Sequence, residues 1–336
     1  MKMTELGKTG LKISRIGFGG IPIQRITAEE TVELFKLLKD LGINFIDTAR
    51  GYTVSEEYIG KALEVVGRKN FIIATKSMAR TGDKLREEFN ISKKNLNIDC
   101  VDLYQFHNVK TLEEYETITS EGGAYEEALK LKEEGLISHI GITSHNKDLL
   151  DRIIESKLFE TIQFPYNPME RQGEESLKKA HANGMGVITM KPLAGGAIKN
   201  KNYSLRFIFE QDFVSAIIPG MASKEEAIEN AQVGNNFTPL SDEERKVLMD
   251  EAKELGDHFC RRCGYCAPCT VGIDIPTNFL MEGYYKRYNL QEWATSRYNQ
   301  MNPNAKDCIE CGVCKERCPY DLKIRDMLKE VAKTFE

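Results

Sequence analysis

The chain has 336 residues, of which 41% are apolar and 29% charged, with a net charge of −5. That balance fits an ordinary globular protein, long enough for one large domain and a small one. No basic block points to nucleic acid, no run nears the ~18 apolar residues of a membrane span, and the first twenty residues lack the apolar core of a signal peptide, so a cytoplasmic protein is expected.

The opening MTELGKTGLKIS predicts a hairpin that turns at Lys8-Thr9-Gly10 and suits the plug of a barrel floor. Short β-rich runs then follow at 16–19, 45–47, 71–75, 101–106, 137–142, 161–164, 187–190 and 216–218. Amphipathic stretches separate them. TAEETVELFKLLKDLG (27–42) has Thr27 placed to cap its start and Gly42 its end. GAYEEALKLKEEG (123–135) reads as a helix with a solvated charged face. Eight strands alternating with helices fit either a doubly wound sheet or a closed barrel. A doubly wound dinucleotide fold needs G-x-G-x-x-G after its first strand; GFGGIPIQ (17–24) lacks the third glycine and is interrupted by Pro22.

The α/β barrel reading, a (β/α)8 barrel over 1–255, makes a checkable demand. Reactive side chains should gather at the C-terminal ends of the strands. Asp47, Lys76, His107, Ser144, Gln163 and Lys191 all fall there. Asp47, Tyr52, Lys76 and His107 form the sharpest group. A carbonyl that accepts hydride develops charge on oxygen and needs a proton. A tyrosine with a pKa near ~10 is too weak an acid unless a nearby ammonium lowers it. An aspartate can hold that lysine, and a histidine can orient the carbonyl oxygen.

The stretch NFIDTARGYTVSEEYIGKAL (44–63), with its D-T-A-x-x-Y-x-x-S-E-x-x-x-G pattern, resembles the signature of the aldo-keto reductase superfamily. ATKS, YQFHNV, IGITSHN, IQFPYNP and IIPGMASKEEAIEN are similar to later family segments, in the same order, so the resemblance spans about residues 3–235. It implies Tyr52 as general acid, Lys76 and Asp47 as its tuners and His107 as orienter. It implies NAD(H) or NADP(H) as cofactor and a small-molecule carbonyl or alcohol as substrate. Thr143, Ser144 and Gln163 match the positions that hold the nicotinamide amide. Where the family often stacks a tyrosine in a Y-S-P-L context, this chain has Met190-Lys191-Pro192-Leu193. Near the adenosine 2′-phosphate it offers Gly220, Met221 and Glu226, with Lys224 close by; Glu226 repels a 2′-phosphate, which favours NAD over NADP. Asn230 matches the adenine-contacting asparagine. The stretch 107–127 is expected to be a long loop that caps the pocket.

Nine cysteines remain to be placed, and eight fall after Phe259. Clustering in a long chain favours metal ligation over disulfides. CRRCGYCAPC supplies Cys260, Cys263, Cys266 and Cys269; CIECGVCKERCP supplies Cys308, Cys311, Cys314 and Cys318. The two are an internal repeat, offset by 48 residues at the first three cysteines and by 49 at the fourth. Zinc knuckles use paired C-x2-C motifs with a longer loop between them, whereas three cysteines in succession at x2 spacing suit a cubane. The layout resembles a two-cluster ferredoxin module, in which each motif lends its fourth cysteine to the other [4Fe–4S] cluster. That implies Cys260, Cys263, Cys266 and Cys318 on one cluster and Cys308, Cys311, Cys314 and Cys269 on the other, in a small, mainly helical domain over 256–336. The first motif departs in its last spacing and in having Thr270 where proline is usual. A helix is expected at 277–289, and Cys100 is expected to be a buried thiol.

Two functions stay open at this point. One is an NAD(P)-linked oxidoreductase whose clusters pass electrons, with an external carrier such as a ferredoxin among its partners. The other is a non-catalytic redox sensor or docking protein whose clusters are structural. No flavin motif bridges hydride and single-electron chemistry.

Overall fold

The computed structural model describes residues 1–336. It separates into two compact units. The first comprises Met1–Asn167, Arg171–Pro192 and Asn202–Leu240; the second comprises Pro168–Glu170, Leu193–Lys201 and Ser241–Glu336. The second unit therefore begins at the N-cap of helix Asp242–Gly256 and takes in two short segments that a single boundary at 255 does not separate.

In the first unit, β1 (Met3–Glu5) and β2 (Lys12–Ser14) pair as an antiparallel hairpin. Eight parallel strands follow: β3 (Phe18–Gly19), β4 (Phe45–Asp47), β5 (Ile72–Ser77), β6 (Val101–Phe106), β7 (Ile137–Thr143), β8 (Thr161–Pro165), β9 (Gly186–Met190) and β10 (Ala216–Ile218). Each pairs with its sequence neighbour. The sheet closes where Ile16 bridges Ile217 and Gly19 bridges Gly220. Gly17 N–H donates to Ile217 O at 2.8 Å, and Ile217 N–H to Arg15 O at 2.9 Å. Closure leaves no free edge.

The hairpin plugs the N-terminal end of the strands. Leu6 and Ile13 are fully buried and pack with Phe45, Ala74, Leu103, Ile188 and Ala216. Lys8 N–H donates to Gly184 O at 2.8 Å. Gly7, at φ +56°, stands so close to the Gly186 backbone that a side chain has no room.

The helix Ala28–Asp40 starts as its sequence implies. Thr27 and Glu30 form a reciprocal capping box, and Gly42 at φ +78° follows its end. Its buried face, Leu34, Phe35 and Leu38, brings Phe35 within 5.4 Å of both the Phe18 and Phe71 rings. The stretch 107–127 is not one loop. It contains the helix Leu112–Thr119, where Thr111 accepts from Glu114 N–H at 3.1 Å and Tyr115 and Ile118 turn inward.

The second unit is helical. Ile275–Lys286 covers most of the expected 277–289 helix, capped by Asp274 with Pro276 in its first turn. With Gln291–Asn299 and Ile324–Thr334 it encloses Phe279, Ala294, Tyr298, Leu328, Val331 and Phe335. Tyr298 and Phe335 stack at 4.1 Å. No helix of either unit is long and apolar enough to cross a membrane.

The helices Ser55–Val66 and Gly82–Leu96 touch through Gly60: a Cβ there would lie 2.2 Å from Asn95 O. Gly60→Ala should therefore force the two apart at a cost of about 1–3 kcal/mol. A thermal midpoint several degrees below the parent is the expected reading, and an unchanged midpoint would remove this contact as a constraint.

Candidate active site and cysteine centres

Neighbouring strands β4 and β5 end in opposite charges. Lys76 Nζ donates to Asp47 Oδ1 at 2.6 Å and to Thr48 O at 2.7 Å. Lys76 is 1% exposed and Asp47 2%. Gln105 Nε2, from β6, reaches Asp47 Oδ2 at 3.3 Å. Burial pushes the Lys76 pKa down and that of Asp47 up, and their mutual attraction opposes both shifts.

Tyr52 lies in the turn after β4, where its N–H donates to Ala49 O at 3.0 Å and its carbonyl accepts from Ser55 N–H at 2.9 Å. The next residue, Thr53, has φ +45° and is tied to Gln24 by its hydroxyl. Lys76 Nζ stands 5.0 Å from the Tyr52 ring centroid. The His107 ring meets Tyr52 edge-on at 5.7 Å. The structure thus brings together all four residues singled out from the strand ends. His107 N–H donates to Ser77 O at 2.8 Å, while its Nδ1 is buried with no hydrogen-bond partner. Burial, together with the charges of Lys76, Arg80 and Lys191, holds its pKa well below the usual value, so the ring is neutral near pH 7.

Two residues here escape sequence reading. Arg80 donates to His107 O at 2.9 Å and pairs with Glu114 at 3.0 Å. Glu56, 1% exposed, accepts from Thr75 Oγ1 at 2.7 Å, and burial raises its pKa. Glu56 belongs to the quoted signature, but nothing local in the sequence says that it turns inward.

On the far strands, Thr143 pairs in register with Gln163, and Pro165 with Met190. Thr143 Oγ1 accepts from Asn108 N–H at 2.7 Å. Ser144 Oγ donates to Val109 O at 2.8 Å and accepts from Asn146 N–H at 3.0 Å. These hydroxyls shape the rim loop. Gln163 differs: it is 1% exposed, faces the Asp47 carboxylate, and its Oε1 has no partner. A primary carboxamide supplies the donor that this buried oxygen lacks, so the site fits a nicotinamide. Lys191, at φ +54°, follows Met190, and its carbonyl accepts from Asn167 Nδ2 at 3.0 Å. Gly220 admits no side chain because Pro22 lies 2.6 Å from the Cβ position. Glu226, in the first turn of helix Lys224–Asn235, accepts from Ala222 N–H at 2.7 Å and pairs with Arg25 at 3.4 Å. Arg25 is 201 residues away in the chain and carries no sequence signal. Met221 is fully buried, and Asn230 is buried on the same helix as Glu226.

In the second unit, Cys269, Cys308, Cys311 and Cys314 line one cavity. Cys260 lies close enough to Cys263 and Cys318 that their charges add to burial in pushing its thiol up to about 11. Cys266 is buried and feels Cys260 and Cys263. Four soft sulfur donors about one cavity fit an iron–sulfur cluster, which would displace the thiol protons on binding. Thr270, where proline is usual, has its hydroxyl 3.3 Å from Cys311 Sγ. Cys100 is half-buried rather than buried, with Sγ 3.5 Å from Ser138 Oγ.

Two family models match the chain: the aldo/keto reductase family over residues 15–204, and a 4Fe-4S dicluster domain over 259–323. The chain is 32% identical over 231 residues to the aldo-keto reductase YhdN of Bacillus subtilis, covering 63% of this chain and 68% of that one. It is 30% identical over 217 residues to an L-galactose dehydrogenase of Arabidopsis thaliana, covering 59% and 67%. Among solved structures, an aldo-keto reductase from Bacillus halodurans in its holo form matches with a TM-score of 0.64 at 25% identity, covering 76% of this chain and 96% of that one. An oxidoreductase barrel of the aldo/keto reductase family, joined in one chain to a 4Fe-4S dicluster domain, is what this protein is.

Proposed function

We propose that the barrel interconverts a carbonyl and an alcohol with a nicotinamide dinucleotide, and that Tyr52 is its general acid. The observation that carries this reading is the Lys76 ammonium, held 2.6 Å from Asp47 and 5.0 Å from the Tyr52 ring, with His107 edge-on to the same ring. The dinucleotide, when bound, supplies the hydride. Tyr52 donates its hydroxyl proton to the carbonyl oxygen as charge grows there. Lys76 stabilises the phenolate that remains, and Asp47 keeps Lys76 charged in a dry site. Neutral His107 hydrogen-bonds the same oxygen and orients the carbonyl.

Gln163 would hold the nicotinamide amide, beside Thr143 and Ser144, with Met190 against the ring and Lys191 beyond it. Gly220, Glu226 and Asn230 would line the adenosine end. Glu226 favours NAD(H) over NADP(H) there, and its pairing with Arg25 narrows that preference. In the second unit, Cys260, Cys263, Cys266 and Cys318 would hold one [4Fe–4S] cluster and Cys269, Cys308, Cys311 and Cys314 the other. These clusters would exchange single electrons with an external carrier such as a ferredoxin.

Tyr52→Phe should lower dinucleotide-dependent carbonyl reduction by about 10³-fold, while dinucleotide binding and the brown colour persist. Surviving activity in an aldehyde and ketone screen would sink the Tyr52 assignment. Cys269→Ser should halve an iron content of about eight per chain and leave the same residual spectrum as Cys308→Ser, not that of Cys260→Ser. A Cys269→Ser spectrum that instead matches Cys260→Ser would exchange the fourth ligands.

His107 gives a pH prediction. Its folded pKa lies below the unfolded value of about 6.5, so the unfolded chain takes up this proton first as pH falls. Stability should therefore be lost below pH ~6.5, at no more than about 1.4 kcal/mol per pH unit, the limit for one proton. Urea midpoints from pH 7 to 5 should fall more steeply for the parent than for His107→Asn; parallel slopes would place the missing proton elsewhere.

A further inference from the structure

The second unit includes two segments that continue directly from strands of the first. Pro168–Glu170 follow β8, the strand of Gln163, and Leu193–Lys201 follow β9, which ends at Met190. Asn167 Nδ2 and the Lys191 carbonyl join the roots of these two segments.

Each segment is fastened by an arginine. Glu170 is wholly buried and pairs with Arg262 at 2.5 Å; Arg261 Nε donates to Met169 O at 3.2 Å. Arg262 lies between Cys260 and Cys263 at φ +58°. Its backbone N–H points at Cys260 Sγ at 3.4 Å, and its Nη1 donates to Cys260 O at 3.2 Å. An ion-pair partner of Glu170 is therefore part of the cysteine loop itself. In the other segment, Ala194, Gly195 and Gly196 stand at φ +49°, +64° and +80°. The two glycines take that shape freely, but Ala194 is strained there and needs its surroundings to hold it. Arg287 Nε donates to Gly195 O at 2.9 Å, the Tyr288 ring lies 3.5 Å from the Gly195 Cβ position, and Glu251 accepts from Lys199 N–H at 2.6 Å.

We infer that Arg262 and Arg287 are positioning residues for nicotinamide dinucleotide binding, and that loss of the clusters weakens that binding by releasing the segments after β8 and β9. The inference rests on the cofactor reading above. The iron-bound cysteine loop fixes Arg262. With the loop loose, the buried pair of Arg262 with Glu170 is broken and the segment leaves its place. Gln163, seven residues before Glu170, then loses one of the supports that aim its amide.

Hydrogen–deuterium exchange of the full chain, without dinucleotide, reads the segments directly. Segments 163–171 and 190–201 should exchange faster once iron is stripped by a chelator, while 72–77 stays protected and reports an intact barrel. NADH fluorescence titration should show the dissociation constant rising about tenfold, the ordinary scale of coupling between two sites. Arg287→Gln should keep full iron and still speed exchange at 190–201 and weaken NADH, which separates the segment from the clusters. Arg262→Gln should speed exchange at 163–171. Unchanged exchange and affinity in stripped protein and in Arg287→Gln would overturn the inference alone. A parent chain that binds neither NADH nor NADPH would overturn the cofactor reading and this inference with it, and would be seen before any variant is made.

Discussion

A lysine ammonium stripped of water is stable only beside a fixed negative charge. Much of the barrel rim follows from that constraint. Lys76 and Asp47 meet because β4 and β5 are neighbours and Lys76 lies two residues past Ala74, the register partner of Asp47, and so on the same face. Gln105 and Gln163 turn their amides toward the same carboxylate from β6 and β8. The positive charge so kept dry lies under the Tyr52 ring and also helps hold His107 neutral. One ion pair thereby reaches both groups that would meet a carbonyl oxygen: it lies against the Tyr52 ring and adds to the burial that keeps His107 neutral.

The proposed function would join two kinds of electron chemistry with different requirements. A hydride moves as a pair over a short distance and asks for a dry, closely built site. A cubane passes one electron at a time and asks for thiolates, hydrogen bonds to sulfur and a path to a carrier. The second unit would meet the latter need with loops rather than strands. Arg262 N–H and the Thr270 hydroxyl each approach a cysteine sulfur, one in each proposed cluster. The departure at Thr270 thus supplies a contact that proline lacks.

The positions of Asp47, Tyr52, Lys76 and His107 are legible in the sequence because each sits at or just after a β-rich run, and a barrel collects such positions on one face. The eight strands are legible for the same reason, although their ends shift by a residue or two where closure, as at Ile16 and Ile217, decides the pairing. The helix at 112–119 is not legible. It buries only Tyr115 and Ile118, too few to set a period against its acidic residues. Nor are the ion-pair partners. Arg25 meets Glu226 and Arg262 meets Glu170 only because the fold brings distant segments together. A single domain boundary is what a sequence offers; a unit assembled from three separate stretches of chain leaves no mark of composition.

The contacts that fasten the segments after β8 and β9 share one number. Arg261 to Met169, Arg262 to Glu170 and Arg287 to Gly195 each span 92 residues of chain. During synthesis, Glu170 and the left-handed turn at Ala194–Gly196 emerge long before the arginines that hold them. Contacts of such separation are among the last to form, since loop closure must precede them. On that reasoning the segments after β8 and β9 would stay unset, with Glu170 still in water, until the cysteine motifs have left the ribosome. Iron delivery would come at the end of that sequence, once Cys318, about a hundred residues past the last barrel strand at Ala216–Ile218, has been made.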